Sequence, residues 1–356
     1  MTPTTPLNVG IVGLGRLGRR HAECLAQHVP GARLVAACNP SPGALDWARD
    51  QLGVTQLHQD FNHFITTADI DAVVLASPTT EHASQFEAAL RAGKHVFVEK
   101  PLSLDVATCE TLAGLAAAHP AQVVMVGFER RFDPDLVRAR AAIERGELGR
   151  PFLVRSQTCD RLDPDGFFVK FAPTSGGIFN DCSVHDIDLV RWMLGNPKVT
   201  KVFASGTNAV HPELAQHDDV DNGLAIIEFE GGARAMLYAS RTMPHGHETT
   251  LEVIGTEGTV QVGFGARLGT TTFRSAQGVH HPVLPDFYAR FEQAFQQEMR
   301  AFVAACRGTG TLPGNLSDAI EATRIAQALQ RSFLTGASVT LPTDRQEIGA
   351  TPQHKT

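Results

Sequence analysis

Residues 8–18 read Asn-Val-Gly-Ile-Val-Gly-Leu-Gly-Arg-Leu-Gly. The apolar run Asn8–Val12 passes without a break into Gly13-Leu14-Gly15-Arg16-Leu17-Gly18, and helical patterning follows. A G-x-G-x-x-G alone is a weak signal, but between a strand and a helix it marks a turn that holds a dinucleotide pyrophosphate. In that reading Gly13 permits the tight turn, Gly15 lets the backbone approach the phosphates, and Gly18 lets helix pack closely on strand. The helix N-terminus adds free N–H groups and positive partial charge. The plain alternative is a glycine turn in an α/β unit that binds nothing.

Outward from this stretch, short apolar runs alternate with helical patterns as far as Val126. Strands are predicted at Asn8–Val12, Arg33–Cys38, Ala72–Ala76, His95–Val98 and Val123–Val126. Such runs, without polar alternation, suit parallel strands covered on both faces. Helices are predicted from Thr80 to Ala92, ended by Gly93, and from Asp105 as N-cap to Ala118. Beyond Gly127 the pattern changes. Asp133-Pro134 opens a helix that closes at Gly146, and an apolar run follows at Phe152–Val154. A loop is expected from Asp160 to Gly177, then a helix from Asp181 to Leu194. Residues from Val199 to Phe273 are strand-like, and Arg290–Cys306 and Leu316–Phe333 read as final helices. The fold class is α/β, with an N-terminal Rossmann dinucleotide-binding domain (1–127). A C-terminal α+β domain with a large, mostly antiparallel open sheet follows (128–342), for substrate binding and oligomerisation. The polar tail 343–356 is expected to be disordered.

The chain has 356 residues, enough for two domains, and a hydrophobic fraction of 43% supplies two cores. Its net charge of −7 disfavours nucleic acid and anionic membranes as partners. The start, Met1–Asn8, lacks the basic and apolar regions of a secretory signal. No apolar run approaches the ~20 residues of a membrane span. Six cysteines with no Cys-x-x-Cys pair point to reduced thiols and a cytoplasmic location. His280-His281 has no partners at ligand spacing, so no metal is expected.

The second strand ends at Asn39, where an acidic residue usually takes the ribose 2′-hydroxyl of NAD. Asparagine does not repel a 2′-phosphate, yet no arginine follows to clamp one, and Arg16 is the nearest. NAD is favoured, with NADP left open. Ser77-Pro78-Thr79-Thr80 follows another strand, where cofactor lies in such sheets; Thr80 reads equally as a helix cap. Glu99-Lys100-Pro101 ends a further strand on the same sheet edge, placing an ammonium where it can polarise a substrate oxygen. Asp181-Cys182-Ser183-Val184-His185 sets a carboxylate and an imidazole at i and i+4, on one face if helical. Such a histidine can take a hydroxyl proton near neutral pH. The bland reading makes Asp181 an N-cap and His185 a packed helix residue, and Asp188 a buried structural partner.

Together, Gly13-x-Gly15-x-x-Gly18, Glu99-Lys100-Pro101 and Asp181-x-x-x-His185 resemble the Gfo/Idh/MocA oxidoreductases over nearly the whole chain. Residues 82–102, HASQFEAALRAGKHVFVEKPL, and Gly176–Asp181 running on to Trp192-Met193-Leu194-Gly195 carry the likeness. Val126–Asp133, and Asp318-Ala319 through Ser332, look most like the inositol 2-dehydrogenases. The resemblance implies that Gly13, Gly15, Arg16, Leu17, Gly18, Asn39, Ser77, Pro78, Thr79, His82, Glu99 and Lys100 hold the cofactor. Lys100 would contact the reacting hydroxyl, with a cis Lys100–Pro101 bond. His185 would be the general base and Asp181 its partner or a substrate ligand. Glu129, Arg130, Asp160 and His247 would line a pocket for a polyol or sugar. His247 stands where inositol enzymes often carry tyrosine, and the loop Leu162–Ser175 looks inserted. The expected activity is oxidation of a secondary hydroxyl of a cyclic polyol. The alternatives are the same chemistry on an aldose, anhydrosugar or dihydrodiol, and a non-catalytic dinucleotide-binding sensor. A homo-oligomer, tetramer or dimer, is expected through the second-domain sheet.

Overall fold

The computed structural model describes residues 5–163, 165–265 and 267–342. The tail 343–356 lies outside the described residues. The chain divides into two compact units, one of residues up to Val137 together with Phe291–Arg324, the other of Arg138–Arg290 with the chain from Ile325.

The first unit follows the alternation read from the sequence. In chain order it contains β1 (Leu7–Val12), α1 (Arg16–Gln27), β2 (Ala32–Cys38), α2 (Pro42–Leu52), β3 (Gln56–His58) and α3 (Phe61–Thr67). Then come β4 (Ala72–Leu75), α4 (Thr79–Arg91), β5 (His95–Glu99), α5 (Val106–Ala117) and β6 (Val124–Gly127). The six strands are parallel, in the order β3-β2-β1-β4-β5-β6. The order reverses between β1 and β4, so the loops after these strands open a crevice at one sheet edge. Local chemistry sets the helix ends. Asp105 accepts the Thr108 N–H at 2.7 Å as N-cap, and Asp133 does the same for Leu136 at 3.0 Å, opening α6 (Pro134–Glu144). Thr80 is not a cap: α4 begins at Thr79 behind Pro78, with no side-chain cap. The Lys100–Pro101 bond is cis.

A single cut after residue 127 misses one packing fact. Met299, Phe302 and Val303 are buried with Val9, Ile11 and Phe97, while Ile320 is buried with Phe86, Leu90 and Val98. Apolar burial therefore joins residues 291–324 to the nucleotide-binding sheet, although the chain reaches them last.

The second unit is built on a seven-stranded sheet. Its members are β7 (Pro151–Arg161), β8 (Val199–Thr207), β9 (Asn222–Phe229), β10 (Arg234–Met243), β11 (Glu248–Gly255), β12 (Thr259–Val262) and, last in the chain, the strand Val339–Thr340. The order is β12-β11-β7-β10-β9-β8 and then Val339–Thr340. Only β7 and β10 pair in parallel. A small hairpin of β13 (Phe273–Ser275) and β14 (Gly278–His280) lies outside this sheet, and Val339–Thr340 is accordingly β15. The segment expected as loop from Asp160 to Gly177 contains a helix, α7 (Phe167–Ser175). It runs between the left-handed residues Gly166 and Gly176, which supply its abrupt ends. The helix expected from Asp181 is two: α8 (Ile178–Asp181) and α9 (Ser183–Met193), parted at Cys182. The last helices are α10 (Phe287–Cys306) and α11 (Leu316–Thr335).

Candidate active site

In the first unit the loops after four parallel strands are tied to one another. Gly13 has φ of +88°, and a Cβ there would stand 2.5 Å from the Ala76 carbonyl oxygen at the end of β4. A Cβ on Gly18 would stand 2.0 Å from the Gly13 carbonyl. Nothing lies within 4 Å of a Cβ built on Gly15, which leaves open space over the N-terminus of α1. Turn, close packing and open approach thus fall on the three glycines read for those tasks, and a pyrophosphate fits that space. Leu17 is half-buried on the first turn of α1 and Arg16 is exposed.

Asn39, after β2, accepts the Leu14 N–H on Oδ1 at 2.9 Å. That oxygen supports the glycine loop, and what Asn39 offers a ribose is its amide donor. After β4, the Ser77 hydroxyl donates to Gln85 at 2.6 Å; Pro78 is exposed and Thr79 half-buried. His82 is buried, with Nδ1 at 2.8 Å from the Pro101 carbonyl and Nε2 at 2.9 Å from that of Ser77. Burial holds its pKa below the usual value, against the pull of the two carbonyls. With both nitrogens against backbone carbonyls, His82 is a tie between the loops after β4 and β5.

Glu99 and Lys100 end β5. The buried Glu99 carboxylate meets His21 Nε2 at 2.5 Å, and the His21 ring packs edge-on against Phe97 and Phe295. Lys100 is half-buried at the strand end. Glu129 and Arg130, in a short 3-10 turn (Glu129–Phe132), are both buried, 3.6 Å apart, with the guanidinium over the Phe291 ring. Glu298 of α10 is fully buried, and neither of its oxygens has a hydrogen-bond partner among the described residues. Burial, reinforced by the negative charges of Glu99 and Glu129, pushes its pKa well above the usual carboxylate range.

The second unit gathers Asp160, Asp181, Cys182, Arg241 and His247. Cys182 Sγ lies 4.0 Å from Asp160 and 3.7 Å from Asp181, so one thiol touches both carboxylates. Each carboxylate is partly exposed and held from behind by a fully buried group. His247 meets Asp160 from Nδ1 at 3.0 Å and the Thr249 hydroxyl from Nε2 at 2.7 Å. Carboxylates only accept, so Nδ1 carries the hydrogen. With both nitrogens engaged, His247 steadies Asp160. Arg241 reaches Asp181 at 3.2 Å and Asp219 at 2.7 Å. Asp181 is therefore ion-paired and not an N-cap. His185 is half-buried on the first turn of α9. Its neighbour Asp186 is fully buried and accepts from the hydroxyls of Ser156 at 2.5 Å and Thr158 at 2.6 Å, locking α9 to β7.

His21, Arg241, Asp219 and Glu298 escaped the sequence reading, although two left a signal. Arg241 continues the inward alternation of Ala235, Leu237 and Ala239. Glu298 falls in the stripe of Phe291, Ala294, Phe295, Met299 and Phe302 on α10. A charged residue on a buried face is itself informative.

Residues 7–128 match the family described as oxidoreductase family, NAD-binding Rossmann fold, and residues 136–261 match the GFO/IDH/MocA C-terminal domain. The scyllo-inositol 2-dehydrogenase (NAD(+)) of Bacillus subtilis is 37% identical over 95% of this chain and 97% of its own length. The crystal structure of scyllo-inositol dehydrogenase from Lactobacillus casei with bound NAD(H) and scyllo-inositol covers 94% of this chain and 99% of its own, with a TM-score of 0.91 and 37% identity. Myo-inositol 2-dehydrogenase from Lactobacillus plantarum gives a TM-score of 0.92 at 35% identity, covering 95% of this chain and 100% of its own.

Proposed function

The chain belongs to the Gfo/Idh/MocA family of oxidoreductases, and from that premise we propose that it is an NAD-dependent dehydrogenase of an inositol-type cyclic polyol, converting one secondary hydroxyl to a ketone. The likeness to enzymes named as inositol dehydrogenases runs through both units, and this observation carries the reading. The site chemistry agrees with it. A cyclic polyol presents hydroxyls alone, and two adjacent carboxylates, Asp160 and Asp181, suit a ligand whose hydroxyls donate hydrogen bonds.

The Gly13–Gly18 loop and the N–H groups of α1 would hold the pyrophosphate, the Asn39 amide would serve a ribose, and Ser77–Thr79 with Lys100 would serve the nicotinamide half. NAD, when bound, supplies the acceptor for the hydride that leaves the carbinol carbon. His185 takes the hydroxyl proton, and the Lys100 ammonium stabilises the oxygen as charge develops on it. Asp181 accepts a hydrogen bond from the polyol, and Asp160, steadied by His247, accepts another. Glu129 and Arg130 are further candidates for polyol binding on the family resemblance alone.

We also propose that the protein is a homo-oligomer through the outer face of the second-unit sheet, with a tetramer as the assembly. Phe203, Ile226 and Met236 are neighbours across β8, β9 and β10, and with Leu224 they are 40–55% exposed. Such a contiguous apolar row is characteristic of a covered surface.

The experiment is a panel of scyllo-inositol, myo-inositol, aldoses and dihydrodiols with NAD and with NADP, followed by nicotinamide absorbance. The proposal expects highest kcat/KM with an inositol and NAD. Turnover confined to aldoses or dihydrodiols would overturn the substrate, and NAD binding without turnover would overturn the enzyme in favour of a sensor.

A further inference from the structure

Asp219, Arg241 and Asp181 form a chain of charges that runs from the interior to the surface of the second unit. The side chains of Asp219 and Arg241 are 1% and 0% exposed, whereas that of Asp181 is 20% exposed. Asp219 Oδ1 accepts the N–H groups of Ile178 at 2.7 Å and Val220 at 2.8 Å, fixing the start of α8. Its Oδ2 receives Arg241 Nη1, and Nη2 passes on to Asp181. The Phe168 ring of α7 covers the guanidinium at 5.2 Å.

A buried guanidinium needs its partners, because an ion taken out of water without compensation is strongly destabilising. Burial works against its charge, but Cys182, Asp181 and Asp219 beside it more than offset this and drive the pKa of Arg241 further up. The positive end is therefore permanent. Asp160 stands on the other side of the Cys182 thiol, so Asp181 has a carboxylate across the sulfur and a guanidinium behind it.

We infer that Arg241 is a positioning residue for the dehydrogenase chemistry: it fixes Asp181 as an ionised acceptor for a substrate hydroxyl and leaves proton abstraction to His185. The inference rests on the polyol-dehydrogenase reading and adds a division of labour between Asp181 and His185. Among the charged and titratable groups about Asp181 are Arg241 on β10, Asp219 behind it, Cys182 beside it and Asp160 on β7, with His185 four residues further along the chain.

The test uses the whole enzyme with NAD and scyllo-inositol. Arg241→Met alone would strand a buried charge on Asp219, so the variant is D219N/R241M. The amide introduced by D219N keeps an oxygen to accept from Ile178 and Val220. The expected result is a roughly 10- to 100-fold fall in kcat/KM, an NAD Kd within two-fold, and Asp181 taking its proton at higher pH by side-chain 13C titration. R241K, which keeps the charge without the fork, should retain part of kcat/KM. A folded D219N/R241M enzyme with unchanged kcat/KM and an unchanged Asp181 titration would overturn the inference. Should the parent protein oxidise no polyol, the functional reading fails, and the Asp181 titration still decides whether Arg241 holds it ionised.

Discussion

Replacing Glu298 by glutamine should make the protein's stability less sensitive to pH. The carboxyl is wholly buried, has no hydrogen-bond partner among the described residues, and stands near the negative charges of Glu99 and Glu129, so its folded pKa is raised well above the usual range. In the unfolded chain a glutamate titrates near about 4.3. Between those two values the native state holds one proton more than the unfolded state, so stability falls as pH rises. The stabilisation is complete below the unfolded pKa and is lost as pH climbs towards the folded one. One proton corresponds to a slope of at most about 1.4 kcal/mol per pH unit, or roughly 2.7 kcal/mol from pH 5 to pH 7. Glutamine has the same shape but does not titrate. Its amide would be as unpaired as the protonated carboxyl it replaces, so that cost is common to both proteins and the same at every pH. The variant should therefore gain on the parent between pH 5 and pH 7. At about 2–4 °C per kcal/mol, the difference in Tm should move in the variant's favour across that interval, by at most roughly 5–10 °C. Thermal melts of both proteins at pH 5, 6 and 7 measure it. A Tm difference that stays constant with pH would refute the reasoning, because Glu298 would then share its protonation between folded and unfolded states.

The cofactor loop offers two further tests. In Asn39→Asp one carboxylate oxygen still accepts the Leu14 N–H and the other is free for a ribose hydroxyl, so the ratio of NADP to NAD Kd should rise about 10-fold or more by calorimetry. Gly18→Ala drives a Cβ into the Gly13 carbonyl, backbone against backbone, and should lower Tm while weakening NAD binding by roughly 100-fold or more. On the outer sheet face, L224E/I226E should turn an oligomer into a monomer by light scattering, with the melting temperature of the monomer recorded alongside.

The nucleotide-binding half was legible because its evidence is local. Strands such as Ala72–Leu75 are buried on both faces and appear as unbroken apolar runs, while Gly13 and Gly18 have steric tasks readable from spacing. Helix α7 was hidden by punctuation: Gly166, Pro173 and Gly176-Gly177 surround and interrupt its nine residues and read as loop. The return of residues 291–324 to the first unit is tertiary, since the apolar stripe of α10 says that it is buried but not against what. The same limit governed His247 and His82. Their positions in the chain were apparent, but only coordinates reveal that both nitrogens of each ring already face protein groups. Arg241 and Glu298 were legible in principle, through strand alternation and helical spacing, but their partners were not.

The most direct test of the account is turnover of its best polyol by His185→Ala, measured with an NAD Kd and a melting curve on the same preparation. The account predicts a fall in kcat of roughly 10²–10⁴, the usual contribution of a general base, with NAD binding within a few-fold of the parent and the melt preserved. Near-parental kcat in a folded His185→Ala enzyme would contradict it and reduce His185 to a packed residue of α9.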